Sequence, residues 1–208
     1  MIPKIIHYIW FGDKPFGEVE NKCIESWKKF CPDYEIKFWN EDNIDLEAMG
    51  KYAQQAYDAE QWAFVSDVVR LYVLKEYGGI YMDTDMEVIK PLDKFLTLPA
   101  FFGFEIEDEI STGIIGSEPH NPFIEELYHD YDGREFIQED GSYDRKTNVI
   151  RITEIMKEKG ISMNNTEQTF DNFKIFPRDV FSPKDYWTRE IDDTDNTYCI
   201  HQFTGSWL

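Results

Sequence analysis

Cysteine is scarce in this chain: Cys23, Cys31 and Cys199 are the only three in 208 residues. An odd number, at spacings that fit neither a Cys-x-x-Cys pair nor a zinc knuckle, argues against a disulfide framework and for a reducing compartment. Long apolar runs are also absent, and no stretch reaches the roughly 20 residues of a membrane-spanning helix. The opening MIPKIIHYIW lacks a basic start and a cleavage site, so it is not read as a signal peptide. A cytoplasmic protein is expected. Positive charge is outnumbered: 21 Lys and Arg face 41 Asp and Glu, a formal net charge of -20. Such a surface repels nucleic acid and anionic lipid, which argues against a nucleic-acid partner. It repels phosphorylated substrates too, unless a bound metal reverses the sign locally. No repeat, low-complexity tract or linker divides the chain, so one domain over residues 1–208 is expected.

What is present suits a packed core, with 42% hydrophobic and 16% aromatic residues. KIIHYIW reads as a buried strand. In VENKCIESWKKFCPD, Cys23, Ile24, Trp27 and Phe30 recur at helical spacing up to Pro32, and YEIKFWN alternates as a second strand. Strand, helix, strand from the first residue predicts an α/β nucleotide-binding half. SDVVRLYVLKEYGG predicts a helix capped by Ser66 and ended by Gly78. GIYMD follows as a buried strand. FFGFEIED and ISTGIIGSE predict two strands around a turn, and NPFIEELYHDY a helix entered through Asn121-Pro122. DGREFIQEDGSYDRKTN reads as a polar surface excursion, VIRITEIMKEKG as a helix, and FKIFP and TYCIHQF as late strands. His7 is expected to be structural.

The short run YGGIYMDTDMEV raises a chemical question. Residues i and i+2 of an extended segment point to one side, so Asp83 and Asp85 are predicted to converge at a strand end, where open α/β sheets bind ligands. Two like charges held together call for a cation, and oxygen ligands favour Mg²⁺ or Mn²⁺, which also accept phosphate oxygens. A solvated acidic turn is the plain alternative in so acidic a chain. Asp67 and Arg70, three apart, share a helix face and make at least a local ion pair.

Ser66-Asp67, Arg70, Gly78-Gly79, Tyr81 and Asp83-Thr84-Asp85 together resemble a signature of glycosyltransferase family 32, and IPKIIHYIWFG and HQFTGSW resemble its two ends. That family includes bacterial capsular polysaccharide glycosyltransferases and fungal mannosyltransferases, and is similar to the catalytic domains of large clostridial glucosylating toxins. The resemblance implies a GT-A-like α/β fold, a Rossmann-type nucleotide-binding sheet with flanking helices, and a retaining hexosyltransferase using a nucleotide-sugar donor (UDP- or GDP-hexose) and Mn²⁺ or Mg²⁺. It implies that Asp85 ligates the metal, with His201 as a late ligand, and that Asp83 reaches the metal through water or contacts donor hydroxyls. Asp67 and Arg70 would contact the transferred sugar, Trp10 would stack on the base, and Tyr81 and Thr112 would face the donor. Ser206 and Trp207 would touch the diphosphate. Trp10 in the core and Tyr81 as an ordinary buried tyrosine are the bland alternatives. Thr147-Asn148-Val149 stands where the family often has Gly-Pro, which leaves the acceptor side open. Two other functions remain: a non-catalytic nucleotide-sugar or glycan binder, and a haloacid-dehalogenase-type phosphatase, whose motif wants Thr where this chain has Glu87. The acceptor implied is a glycan or lipid-linked glycan, with peripheral membrane contact through a C-terminal tail missing after Leu208.

Overall fold

The computed structural model of the protein describes residues 1–205. The expected opening unit is present. Strand β1 (Ile5–Ile9) leads into helix α1 (Glu18–Phe30), then strand β2 (Glu35–Trp39), which runs parallel to β1. Helix α1 buries Cys23, Ile24 and Trp27, and carries acids in its first turn and lysines in its last, matching the helix dipole.

Two helices follow, α2 (Lys51–Asp58) and α3 (Trp62–Tyr77). Helix α2 was not anticipated. Helix α3 begins four residues before Ser66, so Ser66 is an interior residue and not the N-cap; Gln61 holds that position without a side-chain cap bond. The start signal is weak because α3 is apolar almost all round, and its burial inside the fold replaces the cap as the source of stability. Gly78 ends it at φ 63° and Gly79 follows at φ 99°. A Cβ on Gly79 would lie 2.7 Å from the Ile5 carbonyl oxygen, so glycine is what lets the chain turn tightly against β1.

The remaining strands and α-helices are β3 (Gly79–Met82), β4 (Met86–Val88), β5 (Ala100–Ile106), β6 (Glu109–Ser117), α4 (Pro122–His129), α5 (Asn148–Glu158), β7 (Gln168–Thr169), β8 (Lys174–Phe176), α6 (Arg178–Phe181) and β9 (Cys199–His201). Seven strands form one mixed sheet in the order β2-β1-β3-β6-β5-β8-β7; β4 and β9 form a separate antiparallel ribbon. Apolar clusters cover both faces of the main sheet. Alternation along β3 sends Ile80 and Met82 to the cluster holding Trp27 and Phe101, and Tyr81 to the cluster holding Val68 and Leu71 of α3. The segment expected to be a polar excursion is anchored after all. Phe136 is fully buried against Tyr52 and Phe64, a contact hidden among its polar neighbours.

His7 is structural, as expected. Nε2 donates to the Gly78 carbonyl (2.8 Å) and Nδ1 accepts from the Trp39 indole (3.0 Å), so the neutral ring is fully used. Burial lowers its pKa from 6.5 to about 4. Its stabilising contribution is therefore complete above pH 6.5 and is lost as the pH falls through 4, an effect of about 3 kcal/mol. The stability gap between wild type and His7→Gln in denaturant titrations should narrow by that amount from pH 7 to pH 4. A gap that stays constant would mean that His7 does not resist protonation.

Candidate active site

Strand β3 stops at Met82, and Asp83-Thr84-Asp85 forms a turn closed by a bond from the Met86 N–H to the Asp83 carbonyl (3.0 Å). The two carboxylates therefore approach through a turn and not, as expected, from one side of an extended strand. The Asp83 N–H donates to the Gly113 carbonyl (2.8 Å), tying the turn to β6. The β4–β9 ribbon then pairs Met86 with His201, which delivers the late histidine beside the turn. Ligand atoms of Asp83, Asp85 and His201 all lie within 4.8 Å of one another.

Asp85 is buried. One of its oxygens faces His201 Nε2 at 3.2 Å; the other accepts from the Thr204 N–H (2.9 Å) and Oγ1 (3.1 Å). Burial opposes its charge, but His201 and Thr204 outweigh this and hold the carboxyl well below the usual range. Burial likewise opposes a charged His201, yet Asp85, with Glu105 and Asp83 behind it, raises the imidazole to about 9. A proton thus stands where a cation would neutralise the same carboxylates. Two carboxylates and an imidazole in this arrangement make a donor set that fits Mn²⁺ or Mg²⁺. Gly113 leaves room for the ring, since a Cβ there would lie 3.1 Å from His201 Cε1.

Asp67 and Arg70 form the adjoining wall. Arg70 is buried, with Nη2 3.2 Å from Asp67, Nη1 donating to the Thr112 carbonyl (2.7 Å) and Nε to the Ser66 carbonyl (3.2 Å). Its guanidinium lies 4.7 Å from the Tyr81 ring centre and 3.6 Å from Asp83. The ion pair anticipated between Asp67 and Arg70 exists, and both partners also line the cleft. Burial pushes the Asp67 pKa up to about 6 against the pull of Arg70. Asn148, in the segment that departs from the family pattern, clamps Asp67: its N–H donates to the carboxylate (2.9 Å) and its side chain to the Asp67 carbonyl (2.7 Å). Nothing in the sequence links these residues, which stand 81 positions apart.

These groups open onto a cleft of about 260 Å³ whose lining includes Trp10, Asp67, Arg70, Tyr81, Asp83, Asp85, Thr112 and His201. Every site residue anticipated within the described region is therefore brought together. Trp10 is half-buried, and its indole N–H donates to the Lys14 carbonyl (2.6 Å). The Tyr81 hydroxyl donates to Asp83 (2.6 Å), so it positions that carboxylate. Ser206 and Trp207 lie outside the described residues. Glu105, Trp62, Tyr186 and Phe203 also line the cleft and were missed. Glu105 is one acid among many in the sequence, and only its 3.9 Å approach to His201 Nδ1 sets it apart.

The chain is similar to known proteins. Over 134 residues the chain is 31% identical to inositol phosphoceramide mannosyltransferase 3 of Schizosaccharomyces pombe, a match covering 59% of this chain and 35% of that protein. Over 137 residues it is 31% identical to an uncharacterised glycosyltransferase of Acanthamoeba polyphaga mimivirus, covering 62% of this chain and 55% of that one. The chain thus spans about a third to about half the length of these relatives. They are fungal and viral, so the expectation of bacterial capsular polysaccharide biosynthesis gains nothing from them. The solved PaToxG glycosyltransferase has the same fold at 21% identity, with a TM-score of 0.53 over 76% of this chain and 71% of its own; the expected GT-A-like α/β fold is borne out. The sequence profile of glycosyltransferase sugar-binding regions containing a DXD motif matches residues 17–101, which span α1 to the start of β5 and include Asp67, Arg70, Asp83 and Asp85. Residues 17–101 of this chain are thus similar to the sugar-binding regions of DXD glycosyltransferases.

Proposed function

We propose that this chain is a metal-dependent glycosyltransferase. It moves a hexose from a UDP- or GDP-sugar to a hydroxyl of a glycan or lipid-linked acceptor, with retention of configuration. The observation that carries the reading is the convergence of Asp83, Asp85 and His201 beside the buried Asp67–Arg70 pair in one cleft. The similarity to a fungal mannosyltransferase and a viral glycosyltransferase supports sugar transfer. A cytoplasmic setting is part of the proposal, because Cys23, Cys31 and Cys199 are all buried free thiols.

Asp85 and His201 would hold Mn²⁺ or Mg²⁺ directly, and Asp83 directly or through water. When bound, the ion supplies the positive charge that the donor diphosphate and its departure need. Arg70 donates two of its five N–H groups to the Ser66 and Thr112 carbonyls and pairs with Asp67, which leaves N–H groups for sugar hydroxyls or Asp83. Asp67 accepts from the same sugar, and the Asn148 clamp fixes its orientation. In the step itself the bond from the anomeric carbon to the diphosphate oxygen breaks and a bond to the acceptor oxygen forms on the same face. The acceptor proton passes to the leaving phosphate, so the step needs no covalent nucleophile. Release of nucleoside diphosphate from a panel of UDP- and GDP-hexoses, with Mn²⁺ and with chelator, tests this reading. Metal-dependent release from at least one donor is expected. Tight donor binding without release from any would make the chain a binder.

Trp10 is the proposed base platform. Stacking of a base on an aromatic ring contributes roughly 1–3 kcal/mol, so Trp10→Ala should weaken nucleotide binding about ten- to hundredfold while the fold survives. Calorimetry with UDP and GDP measures this, and an unchanged affinity would return Trp10 to a packing role.

A further inference from the structure

From His201 an aromatic series leads out of the cleft to the surface. Phe203 lies 4.0 Å, centre to centre, from His201; Tyr186 meets Phe203 edge-on at 5.5 Å; Trp187 meets Tyr186 edge-on at 4.7 Å. Tyr186 lines the cleft, while Trp187 is 84% exposed, far more than any other tryptophan among the described residues. An exposed Trp is ordinarily a loss of burial, yet this one sits on a constructed loop. Asp185 accepts from the N–H groups of Trp187 (2.9 Å) and Thr188 (2.7 Å), and Lys184 pairs with Ile191 across the loop. Arg189 and Phe203 both hold positive φ, 64° and 52°, a costly conformation for residues of that size, and the Arg189 side chain donates to the Phe203 carbonyl (2.9 Å). Strain is thus concentrated where the loop is fastened to the segment that follows His201.

We propose that Trp187 and Tyr186 form the platform on which a pyranose ring of the acceptor stacks, so that its hydroxyl reaches into the cleft. This rests on the glycosyltransferase reading. An indole face offers apolar area to the C–H face of a sugar at low entropic cost, and Tyr186 adds a polar edge. The occupant is a neutral sugar: Glu190, Asp192, Asp193 and Asp195, exposed around the loop, outnumber its two cations, Lys184, which bonds Gln202, and Arg189, which bonds the Phe203 carbonyl and lies 5.2 Å over the Tyr186 ring. A phosphorylated or uronic acid sugar, or an anionic lipid surface, would be repelled.

Saturation-transfer NMR with neutral disaccharides built from glucose, mannose and galactose tests this without requiring turnover. The measurement is made with Mn²⁺-free protein and compares wild type, Trp187→Ala and Trp187→Phe. Saturation of ring C–H protons by wild type, its loss in Trp187→Ala and its partial return in Trp187→Phe are the expected results. No saturation of any neutral sugar by wild type overturns the proposal, as does equal saturation by Trp187→Ala, and so does a preference for anionic phospholipid vesicles. Trp187 is exposed, and identical melting curves will exclude misfolding. Failure of the glycosyltransferase reading is read separately, as the absence of donor hydrolysis.

Discussion

Asp85→Asn is expected to cut sugar transfer by at least about a thousandfold, roughly 4 kcal/mol of barrier. The substitution preserves size, and its remaining oxygen can still accept from the Thr204 N–H that fastens Asp85 at 2.9 Å. What it removes is the charge shared by His201 at 3.2 Å and by any ion held with Asp83. In a chain of net charge -20, a diphosphate approaches this end of the cleft only when a cation reverses the local sign. Metal and nucleotide should therefore bind with mutual dependence, each tightening the other by the same factor. Titrating UDP and GDP into wild type and Asp85→Asn, with Mn²⁺ and with chelator, measures that factor. It should be large in wild type and close to one in the variant. Equal binding by wild type in chelator would sink the metal bridge and leave the carboxylates without a role.

Arg70→Lys should lower turnover about a hundredfold while leaving the affinity for free nucleoside diphosphate nearly unchanged. Arg70 bonds the Ser66 and Thr112 carbonyls and pairs with the Asp67 carboxylate at once, and a lysine ammonium has neither the width nor the fixed planar fork to do so. Hydrogen bonds to charged groups contribute about 1.5–3 kcal/mol each, so losing one or two that orient the sugar suffices for the effect. Single-turnover rates, nucleotide calorimetry and thermal melts separate the cases. Equal losses of turnover, nucleotide affinity and stability would reduce Arg70 to a structural partner of Asp67.

Much of the central sheet was legible because its signals are local. The period-2 and period-3.6 patterns around β1, α1 and β2 depend on neighbours only a few residues away, and Asn121-Pro122 marks the start of α4 with its own side chain. The first helix turn of α3 and all of α2 were illegible, since their boundaries are set by burial against other elements. The short β4 was missed for the same reason: three residues become a strand only because Cys199–His201 lies alongside.

The sequence by itself determined which chemical groups this protein has to work with. Asp67, Arg70, Asp83 and Asp85 lie within 19 positions of one another, on a helix and at a strand end whose patterns are strong, and a C-terminal histidine motif stood out by likeness. Only the tertiary structure decided their arrangement. The turn at Asp83–Asp85 depends on the Gly113 carbonyl, His201 arrives through a ribbon that closes 115 residues of chain, and Asn148 reaches Asp67 across 81. Contacts of that range leave no periodicity, because a side chain's partner across a sheet is chosen by topology and packing, and neither is written in the spacing of its neighbours.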